Sequence, residues 1–334
     1  TDIRCTDHSR MTEGTHLSDS IERNAAGIPI RSLGRSDIEV SILGFGGGHF
    51  CRKHLAQADS VRLVHEAVDS GISFFDNAWE YHGGESERRM GIALEGGRRE
   101  KVTLMTKVCA RDRKTAEEQL ETSLKRLKTD VIDVWQFHEV IYDNDPDWIC
   151  AVDGALAAAE AARKAGKVRL IGFTGHKHPD IFKKMLNQEF EWDTVQMPTN
   201  VVDAHYRSFQ KEIIPILNER GIGCIGMKSL GGEGQLITDA GLTPYQCRAY
   251  AMSLPISTLV SGIQSPENLA QDLEIARNFQ PMTNDEMVEL QNQVCDKSLD
   301  GRLEWFKSTQ FYDSAYHRDQ HGFPSIGHVS GNLD

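Results

Sequence analysis

Short apolar runs alternate along this chain with longer segments in which apolar residues recur at helical spacing. The strand-like runs are Ser41–Phe45, Ile72–Asp76, Val102–Lys107, Val131–His138, Val168–Thr174, Thr194–Met197, Ile222–Met227 and Thr258–Ile263. Helical spacing follows at Ala58–Asp69, Ser86–Leu94, Ala116–Leu127, Asp153–Ala165, Lys211–Asn218, Pro244–Ser253 and Glu267–Arg277. Continuous apolar strands are buried on both faces, and strand–helix alternation predicts a parallel sheet. Eight such units over residues 41–278 fit an α/β fold of the (β/α)8 TIM-barrel type, which takes roughly 250 residues. A doubly wound open sheet is the alternative. Two short alternating runs around Gly34–Asp37 predict an N-terminal β-hairpin.

The pattern divides the chain in three. Residues 1–28 are a polar, aperiodic arm, residues 29–280 the barrel, and residues 281–334 a C-terminal extension. The extension holds a helical stretch, Asp285–Val294, and a tail rich in aromatics and His, expected to lie over the barrel mouth or a partner. His317 and His321 stand four apart, a spacing that suits a metal on a helix, but the pair is read as part of a solvated tail helix.

Composition narrows the function. No apolar run approaches the roughly 20 residues of a membrane span. A formal net charge of −12 disfavours nucleic-acid binding, because an acidic surface repels phosphates. The seven cysteines are odd in number and widely spaced, with no Cys-x-x-Cys. That predicts reduced thiols in a cytoplasmic compartment and no disulfide framework. The chain begins at Thr1 rather than Met, which leaves open a segment removed before it.

Gly221-Ile-Gly223-Cys-Ile-Gly226 matches the dinucleotide pattern G-x-G-x-x-G. That fingerprint requires a strand before it and a helix after it. Here the order is reversed, so the glycines are read as a helix stop and a strand start.

Active-site groups of a barrel sit at the C-terminal ends of its strands. The second run ends on Asp76 with Tyr81 close behind, the third on Lys107 and the fourth on His138. A phenol is a weak acid at neutral pH, and a neighbouring ammonium favours its ionised form. A carboxylate keeps that ammonium charged, and a neutral His orients a substrate oxygen. Asp76, Tyr81, Lys107 and His138 thus read as a proton donor for a carbonyl oxygen with its tuning set. The set holds no reductant, so hydride must come from a cofactor.

These residues carry a resemblance to the aldo/keto reductase superfamily: Gly71-Ile-Ser-Phe-Phe-Asp76-Asn-Ala-Trp-Glu-Tyr81, then Gly84-Glu85-Ser86-Glu87, Thr106-Lys107 and Gln136-Phe137-His138. The resemblance covers residues 29–280 and implies a catalytic tetrad of Asp76, Tyr81, Lys107 and His138. It also implies hydride transfer between a nicotinamide cofactor and an aldehyde, ketone or sugar. By the same resemblance the cofactor meets Gly47 and Gly48 of the first loop, Asp76, Thr174, Gln196 and Met227. It then meets Lys228, Ser229, Leu230 and Gly232, and finally Gly262, Gln264, Ser265 and Asn268, with Asp272 beside the adenine. Thr174-Gly175 replaces the family's Ser-Asn pair, and Met227 replaces its stacking Tyr. The usual basic residue for a 2′-phosphate is missing from the last loop. NADP(H) is the expected cofactor, with NAD(H) left open.

The sequence assigns no metal to this site. Two rival readings remain: a metal-dependent hydrolase using His138, His176 and His178, and a non-catalytic cofactor-sensing subunit. Trp79, His82, Trp135, Trp305, Phe306, Phe311 and Tyr312 are candidate pocket walls, although Trp135 lies within a strand and suits the core. The expected partner is a small carbonyl or alcohol, with no nucleic acid and no membrane. Monomer and homo-oligomer are both open.

Overall fold

A computed structural model describes residues 21–324. The hairpin comes first, with β1 (Ile30–Ser32) antiparallel to β2 (Glu39–Ser41). Eight parallel strands follow: β3 (Leu43–Gly46), β4 (Phe74–Asp76), β5 (Thr103–Val108), β6 (Ile132–Phe137), β7 (Val168–Thr174), β8 (Thr194–Pro198), β9 (Gly223–Met227) and β10 (Thr258–Gly262). They close in chain order, with β10 returning to β3. Each of the eight apolar runs is therefore a barrel strand, and the open-sheet alternative is excluded. The helix Pro179–Leu186 after β7 had no place among the helical segments.

Register decides what shares the mouth. Asp76 stands opposite Gly46 and Met105, Lys107 opposite Gln136 and Thr174 opposite Gln196. The polar strand ends are thus brought level at one rim. The hairpin closes the other end, where Ser41 N–H reaches Ser73 Oγ at 2.8 Å just before β4. Its Leu33, Ile38 and Val40 pack with Phe74, Met105, Val134, Ile225 and Val260 in the barrel interior. Trp135 is buried and packs beside Phe137, so it is core rather than pocket wall. The helix Ile214–Glu219 ends before Gly221, whose φ is +65°, and β9 begins at Gly223. This is the helix stop and strand start read from the sequence.

Helix packing is close enough to name a sensitive position. A Cβ on Gly91, in the helix Glu85–Ala93, would fall 2.3 Å from Arg126 O and 2.9 Å from Leu127 Cα. Those are backbone atoms and cannot rotate away. Gly91→Ala gains helix propensity of up to about 1 kcal/mol, but overpacking costs about 1–3 kcal/mol. A net loss of stability is expected in a urea melt, and an unchanged midpoint would show that the two helices separate freely.

Two expectations are corrected. Cys295 is disulfide-bonded, so the thiols are not all reduced. The tail helix Ala315–Gln320 is not solvated on its His face: His317 is fully buried, edge-on to the His138 ring, and Arg318 beside it is buried too. Of the arm, residues 1–28, the first twenty lie outside the described residues, and Arg23 bridges to Pro29.

Candidate active site

Lys107 leaves β5 into the mouth with almost no exposed surface. Its ammonium pairs with Asp76 Oδ1, donates to Asn77 O at 2.7 Å and lies 3.4 Å from Tyr81 Oη. Burial lowers the Lys107 pKa, and Asp76 acts against that shift. Asp76 Oδ2 accepts a second bond, 2.9 Å long, from Gln196 Nε2. The His138 ring meets Tyr81 edge-on, with centroids 5.5 Å apart. The four residues singled out at the strand ends therefore converge.

Tyr81 is tuned in the direction opposite to the one the sequence suggests. Burial raises its pKa well above the usual phenol value, and Asp76 and Glu80 add to the rise. Lys107 does not offset this. The phenol is held protonated.

His138 has a partner that the sequence reading missed. Its Nδ1 lies 2.8 Å from Glu80 Oε1. Burial alone would raise the Glu80 pKa, but the hydrogen bond and charge of His138 more than offset it and bring the carboxyl down to about 2. Burial also lowers the His138 pKa. The consistent state is a neutral ring donating Nδ1–H to a carboxylate, with Nε2 unprotonated. Glu80 lies inside the segment quoted above, so proximity to Tyr81 in sequence was the only available signal.

The first loop carries Gly47, where a Cβ would meet Asp76 O at 2.6 Å. Gly48 O lies 2.9 Å from His82 Nε2. Thr174 is buried, and its carbonyl accepts from Val140 N–H. A Cβ on Gly175 would lie 2.4 Å from Val140 O, which leaves no room for the Asn of the family pattern. Met227 ends β9 half-buried. Gln196 Oε1 is buried and has no hydrogen-bond partner among the described residues.

Around the rim, Lys228 donates to Tyr312 Oη at 2.5 Å and lies 4.4 Å from the centre of that ring. Ser229 accepts from Arg248, which also donates to Ser261 Oγ at 2.6 Å and pairs with Asp272 at 3.0 Å. Asp272 is thus an internal partner of Arg248. Leu230 and Gly232 lie in the following turn, where Gly232 has a φ of +90°. Gly262 ends β10 against the His49 ring. Gln264 accepts from Arg52 at 3.1 Å. Ser265 caps the helix Pro266–Arg277 by accepting from Asn268 N–H.

A cation, Arg52, reaches the last loop at Gln264. It arrives from the first loop, pairs with Glu233 at 3.2 Å and keeps a buried Nε without a partner. Burial, with Arg52, Lys228, His82 and Arg248 around it, lowers the His49 pKa to about 3. A neutral His ringed by cations marks a place where an anion is favoured. The sequence signal was the basic run after the glycines, Gly48-His-Phe-Cys-Arg-Lys-His54.

The three-histidine metal reading is not supported. His178 caps a helix, accepting from Asp180 N–H at 3.1 Å. His176 is buried against Phe306 and Tyr312. Neither joins a metal-competent group among the described residues. Phe306 and Tyr312 thus pack on His176, which follows β7, whereas Phe311 is 48% exposed.

The Aldo/keto reductase family model matches residues 42–248. The chain belongs to that family of oxidoreductases. It is 30% identical over 233 residues to L-galactose dehydrogenase of Arabidopsis thaliana, covering 64% of this chain and 68% of that protein. It is 32% identical over 157 residues to 6-dehydroglucose reductase of Novosphingobium aromaticivorans, covering 42% of this chain and 50% of that one. The chain thus spans about half to two thirds of these relatives. Among solved structures, the holo form of an aldo-keto reductase from Bacillus halodurans superposes with a TM-score of 0.68 at 22% identity. That match covers 80% of this chain and 96% of the other, and it bears on the fold.

Proposed function

We propose that this chain interconverts a carbonyl and an alcohol with a nicotinamide dinucleotide, NADP(H) first, and that residues 29–280 form the catalytic unit. The observation that carries this is the contact of one buried ammonium, Lys107 Nζ, with both Asp76 and Tyr81 Oη. The mouth fits the cofactor on three counts: the unpartnered Gln196 Oε1, the glycine cradle at Gly47, and the cations at Arg52, Lys228 and Arg248. Gln196, Asp76 and Thr174 would hold the nicotinamide end. Ser229 to Gly232 would hold the middle, and Gly262 to Asn268 with Arg52 the phosphate-bearing end. When bound, the cofactor supplies the hydride.

The chain's own part is the proton. Tyr81 gives its hydroxyl hydrogen to the substrate oxygen as negative charge develops there, and the phenolate left behind faces Lys107 Nζ. Asp76 keeps that ammonium charged and placed. His138 meets the substrate through Nε2, and Phe306 and Tyr312 wall the pocket. The two relatives named for sugars put polyhydroxylated carbonyls and alcohols first in a substrate screen. The test is NADPH binding by fluorescence quenching, then turnover of sugars, aldehydes and ketones. Binding of neither NADPH nor NADH would end the proposal.

Arg52 gives a sharper expectation. A hydrogen bond to a charged group is worth about 1.5–3 kcal/mol, roughly 10- to 150-fold in affinity. Arg52→Ala should weaken NADPH by that factor and NADH much less. An equal loss for both would place Arg52 at the pyrophosphate instead of the 2′-phosphate.

A further inference from the structure

On the Nδ1 side of His138, away from the nitrogen left for substrate, four metal-ligating side chains meet. Glu80, Cys109, His138 and His317 each offer one donor atom, and these atoms lie within 4.8 Å of one another. They come from four parts of the chain: the loop after β4, the residue after β5, the residue after β6 and the helix Ala315–Gln320. His138 Nδ1 is 2.8 Å from Glu80 Oε1 and 3.9 Å from Cys109 Sγ. Cys109, His138 and His317 are buried.

A hydrogen-bonded cluster around the Glu80 carboxylate accounts for three of the four. It does not account for His317. Among the described residues the buried His317 Nε2 has no hydrogen-bond partner, its nearest carboxylate oxygen being Glu139 Oε2 at 3.8 Å. Leaving such a group unpaired is costly, because it forfeits its bonds to water without replacing them. His317 Nδ1 lies 3.3 Å from Arg111 Nη2, but the two hydrogens on that nitrogen already have acceptors, His138 O at 2.7 Å and Glu139 O at 2.9 Å. Arg111 also bonds Cys109 O at 3.2 Å and is neutralised by Asp145 at 2.8 Å. One paired guanidinium thus braces the backbone on which two of the four donors sit.

We propose that Glu80, Cys109, His138 and His317 form a four-coordinate site for a divalent cation of zinc's class. One thiolate, two imidazoles and one carboxylate are ligand types that zinc takes in tetrahedral sites. Zinc–sulfur and zinc–nitrogen bonds of about 2.3 and 2.0 Å set donor separations of roughly 3.3–3.8 Å, so the widest pair closes by about 1 Å. The carboxylate and thiolate together balance the 2+ charge. On binding, the Cys109 thiol proton leaves to solvent, and the His138 proton moves from Nδ1 to Nε2.

Two consequences follow. The cation ties the C-terminal helix to the barrel mouth. It also turns His138 Nε2 from a bare acceptor into a donor facing the pocket, the polarity a carbonyl oxygen needs. The site does not rest on the cofactor reading, because its donors lie on the other side of the ring.

The test is metal binding by the full chain carrying no affinity tag. The protein is stripped with a chelator, loaded with Zn2+ or Co2+, passed through a desalting column and assayed by elemental mass spectrometry. One equivalent is expected. The cobalt form should show the intense visible bands of tetrahedral coordination and a near-ultraviolet thiolate charge-transfer band. Loss of an outer partner alone costs about 10- to 100-fold in metal affinity, so loss of a ligand by Cys109→Ser or His317→Ala should cost on the order of 100-fold or more. Circular dichroism establishes that each variant folds. If His317→Ala does not fold, Cys109→Ser carries the test, because loss of the charge-transfer band is specific to sulfur. No retained metal, or a cobalt spectrum that Cys109→Ser leaves unchanged, overturns the proposal.

Discussion

Tyr81→Phe should abolish most carbonyl reduction while leaving cofactor affinity within about twofold of the unmodified chain. The phenol oxygen is the group placed to give a proton at the substrate, and general acid catalysis contributes typically 10²–10⁴-fold. The ring itself stays, so the edge contact with His138 and the packing around it persist. Lys107 keeps its bonds to Asp76 and Asn77, so the charged floor of the site stays paired. The loss should therefore fall on kcat rather than on KM. Stopped-flow or steady-state NADPH oxidation with the best substrate from the screen measures it. Near-normal turnover would mean that another group delivers the proton.

The barrel was legible because parallel strands declare themselves. Each is buried on both faces, so its residues read as an unbroken apolar run, and all eight runs became strands. The meeting of Asp76, Tyr81, Lys107 and His138 was legible for a related reason. Asp76, Lys107 and His138 each end an apolar run, and register places strand ends together whatever their distance along the chain. What escaped is what depends on loops crossing the mouth. Arg52 reaches Gln264 across 212 positions, and no periodicity announces that contact. Glu80 sits one residue before Tyr81 but meets His138 only because the chain turns sharply there, with His82 at a φ of +52°. His317 was noticed for its spacing and then assigned to solvent, since a short amphipathic pattern does not say which face is covered. The upward shift of Tyr81 was missed because pairwise reasoning weighed the Lys107 charge and not the cost of burial.

The C-terminal strap depends on one buried ion cluster, and Lys307→Met should release it. Lys307 is fully buried and lies 2.6 Å from both Asp203 Oδ1 and Glu304 Oε2, with a third bond to Tyr206 O at 2.9 Å. Burial pulls the ammonium pKa down, but the two carboxylates more than offset this, so it is charged when folded. Removing one partner of such a group strands the other charges, at about 3–5 kcal/mol. Met fills the space of the Lys stem, so the loss reports charge rather than a cavity. Asp203 keeps acceptor bonds from Phe209 N–H and Gln210 N–H, which limits the damage on that side. Glu304 keeps only Asn200 Nδ2, at 2.7 Å, so it is the more exposed to the change. Burial already raises the Glu304 pKa to about 7, with Asp203 adding to the rise. Adding Glu304→Gln to Lys307→Met should therefore restore part of the loss, since the amide can still accept from Asn200 and carries no charge. Urea melts of the single and double variants measure the energies, and limited proteolysis after residue 300 reports the strap. A single variant as stable as the unmodified chain would show that the cluster contributes nothing to holding Phe306, Tyr312 and His317 over the mouth.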